Sequence, residues 1–458
     1  MLGKYFGTDG FRGEAGVTLT SDHAYEIGRY LGWYFSEGGR HRVRVVIGKD
    51  TRRSSYMFEY AIVAGLTASG ADVYMLHVTT TPGVSYAVAN DDFDCGVMIS
   101  ASHNPYTDNG IKLVNRRGEK MDDETTEKIE AYLDGDYEKA GLTTPRIPFA
   151  TGADLGEIVD YAAGRNRYIG YLISLSRYSF KPFRVGLDCA NGSAWMIARN
   201  VFEALGAKVY AINATPNGLN INLDAGSTHI GALARHVREN GLDIGFAFDG
   251  DADRCIAVDE HGDVVNGDHI LYILGNALKQ NGELVNNTVV TTIMSNMGLY
   301  RALTAAGIDY VQTTVGDRFV YENMLATGNC IGGEQSGHII LRKYATTGDG
   351  ILTAIKVMEA VIGSKQPLSK LAEPVKMLPQ VQVNVRVDDK AAVRENGAVQ
   401  AALQEARTAL GESGRILLRE SGTEPVVRVM AEAETEARCR KFVDAVVSVI
   451  RAEGLARD

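Results

Sequence analysis

Three stretches of this 458-residue chain, 64–73, 202–209 and 303–311, carry one pattern, and that repetition limits the fold more than any other feature. Each reads as the end of a helix, a glycine that caps it (Gly70, Gly206, Gly307) and the start of a strand. Each also follows a β-rich run, at 43–47, 184–187 and 288–293, so the repeated unit is strand, helix, strand with a parallel crossover. The expected architecture is therefore three tandem, related α/β domains with mixed sheets.

Length agrees, because a chain this long exceeds one compact core and suggests roughly three or four domains. Thr143-Thr144-Pro145-Arg146-Ile147-Pro148 reads as the first linker, Glu260-His261-Gly262-Asp263 as a turn into the third unit, and Gly363-Ser364-Lys365-Gln366-Pro367 as its close. Beyond that the pattern becomes strand 381–387, helix 391–410, strands 415–418 and 426–430 and a last helix, a C-terminal α+β domain. The expected domains are 1–148, 149–259, 260–368 and 369–458.

Lys plus Arg number 47 against 57 Asp plus Glu, and the net charge of −10 with no basic block excludes a nucleic-acid partner. The five cysteines are odd in number, widely spaced and never Cys-x-x-Cys, which suggests neither a disulfide framework nor a thiolate zinc site. Residues 1–13 lack an apolar signal segment and no stretch is apolar for long enough to span a bilayer, so no membrane partner is expected and the expected location is cytoplasmic.

The stretch from Ile99 to Leu113, which opens Ile-Ser-Ala-Ser-His-Asn-Pro, reads as a nucleophile loop. The run 96–99 is a short buried strand, and Asn104-Pro105 and Asp108-Asn109-Gly110 are turn formers, which places Ser102 on an exposed bend. Ser and Asn before proline are also ordinary turn chemistry. A serine hydroxyl needs a base, a metal or a cation beside it, and His103 and Lys112 are candidates.

Asp249-Gly250-Asp251-Ala252-Asp253-Arg254 lies between apolar runs 244–248 and 255–258. Alternate residues of a nearly extended loop point the same way, which converges three carboxylates on one point, and hard oxygen ligands favour Mg²⁺. A calcium EF-hand fails, since Arg254 stands where that loop needs glycine and strands flank it. Gly332-Gly333-Glu334-Gln335-Ser336-Gly337-His338 sets a carboxylate, an amide and a hydroxyl between glycines and can read sugar hydroxyls, though a plain solvated hairpin has the same composition. Arg419-Glu420-Ser421-Gly422-Thr423-Glu424-Pro425, with Arg428, offers a guanidinium, two hydroxyls and open backbone as a phosphate cradle. No Walker or Gly-x-Gly-x-x-Gly pattern follows a strand, which argues against a nucleotide site.

Taken together, the four loops resemble the phosphohexomutase superfamily, with one signature loop in each of four domains. The segment from Lys4 to Gly13, Asn220-Ile221-Asn222 with Gly226-Ser227-Thr228-His229, Gly333 to His338 and Thr346-Thr347-Gly348-Asp349-Gly350 are similar to its bacterial phosphoglucosamine mutase branch. Phe11 and Ser54-Ser55 depart from that pattern, which has Ile and Ser-Gly there.

The resemblance implies four domains around a central cleft and the interconversion of glucosamine 6-phosphate and glucosamine 1-phosphate through a sugar 1,6-bisphosphate, feeding UDP-N-acetylglucosamine and the cell wall. It implies Ser102 as phosphoserine, and Ser102, Asp249, Asp251 and Asp253 as Mg²⁺ ligands. Arg254 and Lys112 would neutralise charge, and the general base is open among Lys112, His103, His338 and Arg12. Glu334, Ser336 and His338 would contact the sugar, and Arg419, Ser421, Gly422, Thr423 and Arg428 would clamp phosphate. The partner expected is a small phosphosugar, and a homodimer is compatible with the chain. The rival readings are a phosphomannomutase/phosphoglucomutase, an inactive sugar-phosphate regulator, and a metal phosphohydrolase with Asp249 as nucleophile.

Overall fold

The computed structural model describes residues 3–7, 9–36, 39, 41–144, 146–421 and 425–457. Among them the strands form four sheets, three of which contain the parallel pairs that the repeats predict: Arg44–Lys49 with Asp72–Val78, Arg184–Asp188 with Lys208–Ile212, and Thr288–Thr292 with Asp309–Thr313. Helices Arg53–Ala68, Ala194–Ala204 and Met297–Ala305 connect the members of each pair. Gly70, Gly206 and Gly307 leave them at φ 83°, 99° and 63°, the left-handed region where only glycine is free of Cβ strain.

The first sheet runs Phe6–Gly7, Gly10–Glu14, Asp108–Asn115, Cys95–Ile99, Arg44–Lys49, Asp72–Val78, Ile158–Asp160. Its central strand Cys95–Ile99 is buried throughout, as is Ile244–Phe248 in the second sheet, because helices or loops cover both faces. Both sheets are mixed. Cys95–Ile99 is antiparallel to Asp108–Asn115, and Ile244–Phe248 is antiparallel to Cys255–Val258, and each of these two reversals carries a candidate site loop at or beside it.

The first sheet continues past residue 148, since Ile158–Asp160 pairs with Asp72–Val78. The second continues past 259, since Val264–Val265 pairs with Cys255–Val258; the turn at 260–263 is thus inside a hairpin of that sheet. By compactness the chain divides into two units, 1–294 with 307–374, and 295–306 with 375–458.

In the second unit the sheet Gln380–Arg386, Val426–Glu432, Arg415–Glu420 is antiparallel. Leu403 from helix Gly397–Leu410 and Val443 and Val446 from helix Glu436–Ala452 join Val385 and Val429 in its core. Glu432, wholly buried, pairs with Arg415 at 2.9 Å and accepts the Met297 amide at 3.0 Å, which anchors segment 295–306. The single helix expected over 391–410 is instead two, Lys390–Glu395 and Gly397–Leu410. Asn396 divides them by capping the second, its Oδ1 accepting the Ala398 and Val399 amides at 2.9 and 3.0 Å.

Candidate active site

Ser102 follows the end of strand Cys95–Ile99 at φ 50° and is 1% exposed. The exposed bend read from the sequence is therefore a buried one. The loop from the second sheet packs onto it: a Cβ on Gly250 would stand 2.5 Å from the Ser102 carbonyl oxygen, so glycine is what allows the approach. Ser102 Oγ donates to Asp249 Oδ2 at 2.5 Å and lies 3.3 Å from His103 Nδ1. Burial, with Arg254 and Arg12 nearby, pushes His103 down to about 4.

Residues 249–253 form a turn rather than the nearly extended loop that the alternation argument assumed, with Ala252 at φ 57° and its amide donating to Asp249 O at 3.1 Å. The convergence of carboxylates holds for this different reason. Asp249, Asp251 and Asp253 are all buried, and one oxygen of each lies within 4.8 Å of the others. Burial and repulsion from Asp253 and Asp251 raise Asp249 well above the carboxylate range. Burial opposes ionisation of Asp253 too, but Lys112 and His338 outweigh it and hold that group well below.

Asp251 Oδ1 and Asp253 Oδ1 are buried without a hydrogen-bond donor among the described residues. Three buried carboxylates, two of them with an unsatisfied oxygen, beside a serine hydroxyl, fit a hard divalent cation. Thr81, at the start of helix Thr81–Asn90, fixes the geometry of that set. Its hydroxyl donates to Asp251 Oδ2 and its amide to Asp251 O at 3.0 Å.

A chain of charges surrounds the triad. Lys112 Nζ lies 2.8 Å from Asp251, 3.3 Å from Asp253 and 3.1 Å from Asp9, which also pairs with Arg12. Lys120 bridges Asp9 at 3.1 Å and Asp317 at 2.7 Å, and Asp317 lies 3.3 Å from His338 Nε2. Burial disfavours a charged His338, yet Asp317 and Asp253 raise it to about 9. The Gly348 amide points at the same Nε2 at 3.0 Å, a contact only the neutral ring accepts, so charging His338 exchanges that partner for Asp317.

The Glu334–His338 loop joins strands Ile331–Gly333 and Ile339–Leu341, and Gly337, at φ 91°, accepts the Cys255 amide at 3.0 Å, which seats this loop beside the carboxylate turn. Glu334 is raised by burial and by Asp317, and accepts the Gly316 amide at 3.1 Å. Ser336 Oγ, Arg12 Nε and Arg254 Nε are buried without a hydrogen-bond partner among the described residues. A cavity of about 260 Å³ opens beside this network, lined by Asp9, Lys112, Lys120, Asp253, Arg318 and Thr347 among others.

The first unit thus brings together Ser102, His103, Lys112, Arg12, Arg254, the three aspartates and the Glu334, Ser336, His338 loop. In the second unit Arg419 and Arg428 stand directly opposite each other on neighbouring strands, and the Ser421 amide donates to Val426 O at 3.0 Å. Gly422 and Thr423 of the expected phosphate loop lie outside the described residues.

Family models for the three alpha/beta/alpha domains of phosphoglucomutase/phosphomannomutase match residues 3–140, 166–262 and 266–377, and the model for its C-terminal domain matches 383–449. The chain belongs to the phosphoglucomutase/phosphomannomutase family. A phosphoglucosamine mutase of Lachnospira eligens is 60% identical over 456 residues, covering 99% of this chain and 100% of that one. A solved phosphoglucomutase/phosphomannomutase family protein from Burkholderia thailandensis shares the fold with a TM-score of 0.78 at 22% identity, over 99% of this chain and 98% of that one. The Aspergillus fumigatus N-acetylphosphoglucosamine mutase, solved with GlcNAc-6P and magnesium, gives a TM-score of 0.67 at 17% identity over 99% and 96%.

Against this family frame, sequence reasoning passed over Thr81, Lys120 and Asp317 and gave Asp9 no role. Asp9 sits inside a motif used only for the resemblance. Thr81 meets Asp251 across 170 residues, and Lys120 meets Asp9 and Asp317 across 111 and 197, so no local spacing marks these contacts; the Asp317–His338 pair is nearer, 21 residues apart. Among the described residues no helix is long and apolar enough to cross a membrane.

Proposed function

We propose that this chain interconverts glucosamine 6-phosphate and glucosamine 1-phosphate, with Ser102 carrying the transferred phosphoryl group and a 1,6-bisphosphate as intermediate. One observation carries the reading: the Ser102 hydroxyl is hydrogen-bonded to a member of a buried carboxylate triad, so nucleophile and metal site are one constellation. The near-full-length phosphoglucosamine mutase relative supports the amino sugar as substrate.

Asp249, Asp251 and Asp253, with the serine oxygen, would hold Mg²⁺, which when bound supplies positive charge to the oxygens of the transferring group. The Oγ–P bond of phosphoserine breaks as a bond forms from phosphorus to the anomeric hydroxyl oxygen, and of the four candidate bases His103, pushed down to about 4, is neutral near pH 7 and able to take that hydroxyl's proton, whereas Lys112, His338 and Arg12 are held charged. Lys112 and Arg254 neutralise the negative charge. Glu334, Ser336 and His338 contact the sugar, and the buried position of Ser102 keeps water from hydrolysing the phosphoenzyme.

Arg419 and Arg428, with Ser421, Gly422 and Thr423, would grip the phosphate not being transferred. The opposite register of Arg419 and Arg428 sets two guanidinium forks side by side, an arrangement whose donors suit a phosphate dianion. The bisphosphate then turns over and returns its other phosphoryl group to Ser102. We place the reaction in the cytoplasm, a setting that suits five unpaired cysteines.

Turnover on glucosamine 6-phosphate, mannose 6-phosphate and glucose 1-phosphate, with Mg²⁺ and a bisphosphate primer, tests this reading. The highest kcat/KM is expected on glucosamine 6-phosphate. A preference for mannose or glucose phosphates would give the phosphomannomutase/phosphoglucomutase alternative, and steady phosphate release without isomerisation would give a phosphohydrolase.

A further inference from the structure

We infer that Arg52, a residue with no place in the chemistry above, is the positioning residue that sets Ser102 for phosphoryl transfer, working together with Asp50, Ser100 and Asn222. This inference rests on Ser102 being the phosphoryl carrier.

The strand Arg44–Lys49 ends at Asp50-Thr51-Arg52, and both Asp50 and Arg52 are 0% exposed. A guanidinium so buried must spend its donors within the protein, and this one spends all of them around the nucleophile loop. Nε donates to Asp50 Oδ2 at 2.8 Å. Nη2 donates to the carbonyls of Ser102 and Asn104 at 3.0 and 2.9 Å, and Nη1 to those of Pro105 and Asp108.

The contacts close a ring on the nucleophile itself. The Ser102 amide donates to Ser100 Oγ at 3.0 Å, Ser100 Oγ donates to Asp50 Oδ2 at 2.7 Å, Asp50 accepts Arg52 Nε, and Arg52 returns to the Ser102 carbonyl. Both backbone polar groups of Ser102 are therefore held by one ion pair. A serine at φ 50° is in a region that L residues occupy only when their surroundings impose it, and this ring imposes it.

The second sheet's loops grip the same atoms from the other side. Asn222 Nδ2 donates to the Ser102 carbonyl at 2.8 Å and to the Asn104 carbonyl at 3.0 Å. Each carbonyl thus takes one donor from Arg52 and one from Asn222. The direction of Ser102 Oγ toward Asp249 follows from this two-sided hold, because fixing the backbone of one residue leaves its short side chain little else to choose.

Lysine cannot reproduce the arrangement, since an ammonium offers three donors from a point where the guanidinium offers five from a plane. Single-turnover labelling of Ser102 by glucose 1,6-bisphosphate carrying a labelled phosphoryl group separates positioning from folding. In that step a sugar-oxygen-to-phosphorus bond breaks, the Oγ–P bond forms, and the serine proton passes to the departing sugar oxygen.

For Arg52→Lys we expect the labelling amplitude to stay at the wild-type level, with KM unchanged, while the rate falls about 10²-fold. Asn222→Gly, which tolerates the local φ of 59°, should slow labelling about tenfold by removing the partner donor, and it decides the matter if Arg52→Lys fails to fold. Wild-type rates in either folded variant, or a loss confined to amplitude, would overturn the inference. No labelling of wild type would instead overturn the phosphoserine reading beneath it.

Discussion

Gly250→Ala is the substitution whose consequence follows most directly from the geometry. The φ of Gly250 is not in the left-handed region, so an added methyl strains no backbone torsion and its whole effect comes from contact. That methyl would meet the Ser102 carbonyl oxygen at 2.5 Å, Ile221 Cδ1 at 2.9 Å and Asn222 Nδ2 at 3.1 Å. Restoring an ordinary separation of about 3.4 Å from the oxygen requires about 0.9 Å of movement. Ser102 O is held by Arg52 and Asn222, so the carboxylate turn must retreat and lengthen the 2.5 Å bond from Ser102 Oγ to Asp249. A displacement near 1 Å between reacting partners costs on the order of 10²-fold in kcat, and overpacking of this kind costs about 1–3 kcal/mol of stability. Initial rates on glucosamine 6-phosphate and thermal melting measure the two effects. Gly231→Ala, where a methyl meets nothing within 4 Å, is the control and should leave both unchanged. Wild-type kcat in a folded Gly250→Ala protein would refute the claim that nucleophile and carboxylate turn are rigidly apposed.

Thr81→Val removes the hydroxyl that holds Asp251 and should weaken divalent-metal binding by about 10–100-fold, read by Mn²⁺ titration, with Thr81→Ser restoring it; unchanged affinity in the valine variant would count against that role. Asp349, which caps helix Gly350–Ser364 and accepts the Tyr168 hydroxyl at 2.8 Å, is pushed by burial from 3.8 up to about 6. Its folded-state pKa lies above the unfolded one, so the native protein binds the proton more tightly and this group's contribution falls as pH rises from about 4 to about 6. At 1.36 kcal/mol for each pKa unit the change is about 3 kcal/mol, so the stability of Asp349→Asn relative to wild type in urea, with EDTA present, should improve by that order between pH 4 and pH 7. A pH-independent difference would show that Asp349 does not titrate in this window.

Local grammar made the scaffold readable. A glycine two residues past a helix and a following β-rich run foretold the three parallel pairs, because Gly70, Gly206 and Gly307 answer a purely local backbone demand. The carboxylate turn and Ser102 were legible because their residue types are adjacent in the chain. Their surroundings were not. The alternation argument reached the right convergence at Asp249, Asp251 and Asp253 by the wrong geometry, since a left-handed Ala252 makes the turn. Burial of Ser102, the seat of Arg52, and the bridging of Asp9 to Asp317 by Lys120 depend on which loops meet after folding, and no spacing within the chain encodes that. The split at Asn396 was missed because helical propensity on both sides masks a single capping side chain.

The account's central claim is covalent, and peptide mass mapping of the protein quenched during turnover on glucosamine 6-phosphate with a bisphosphate primer tests it directly. It predicts one phosphoryl group on the peptide containing Ser102, localised to that side chain and absent from a Ser102→Ala protein that no longer turns over. An active enzyme whose Ser102 is never found modified, or a Ser102→Ala variant that retains wild-type turnover, would contradict it.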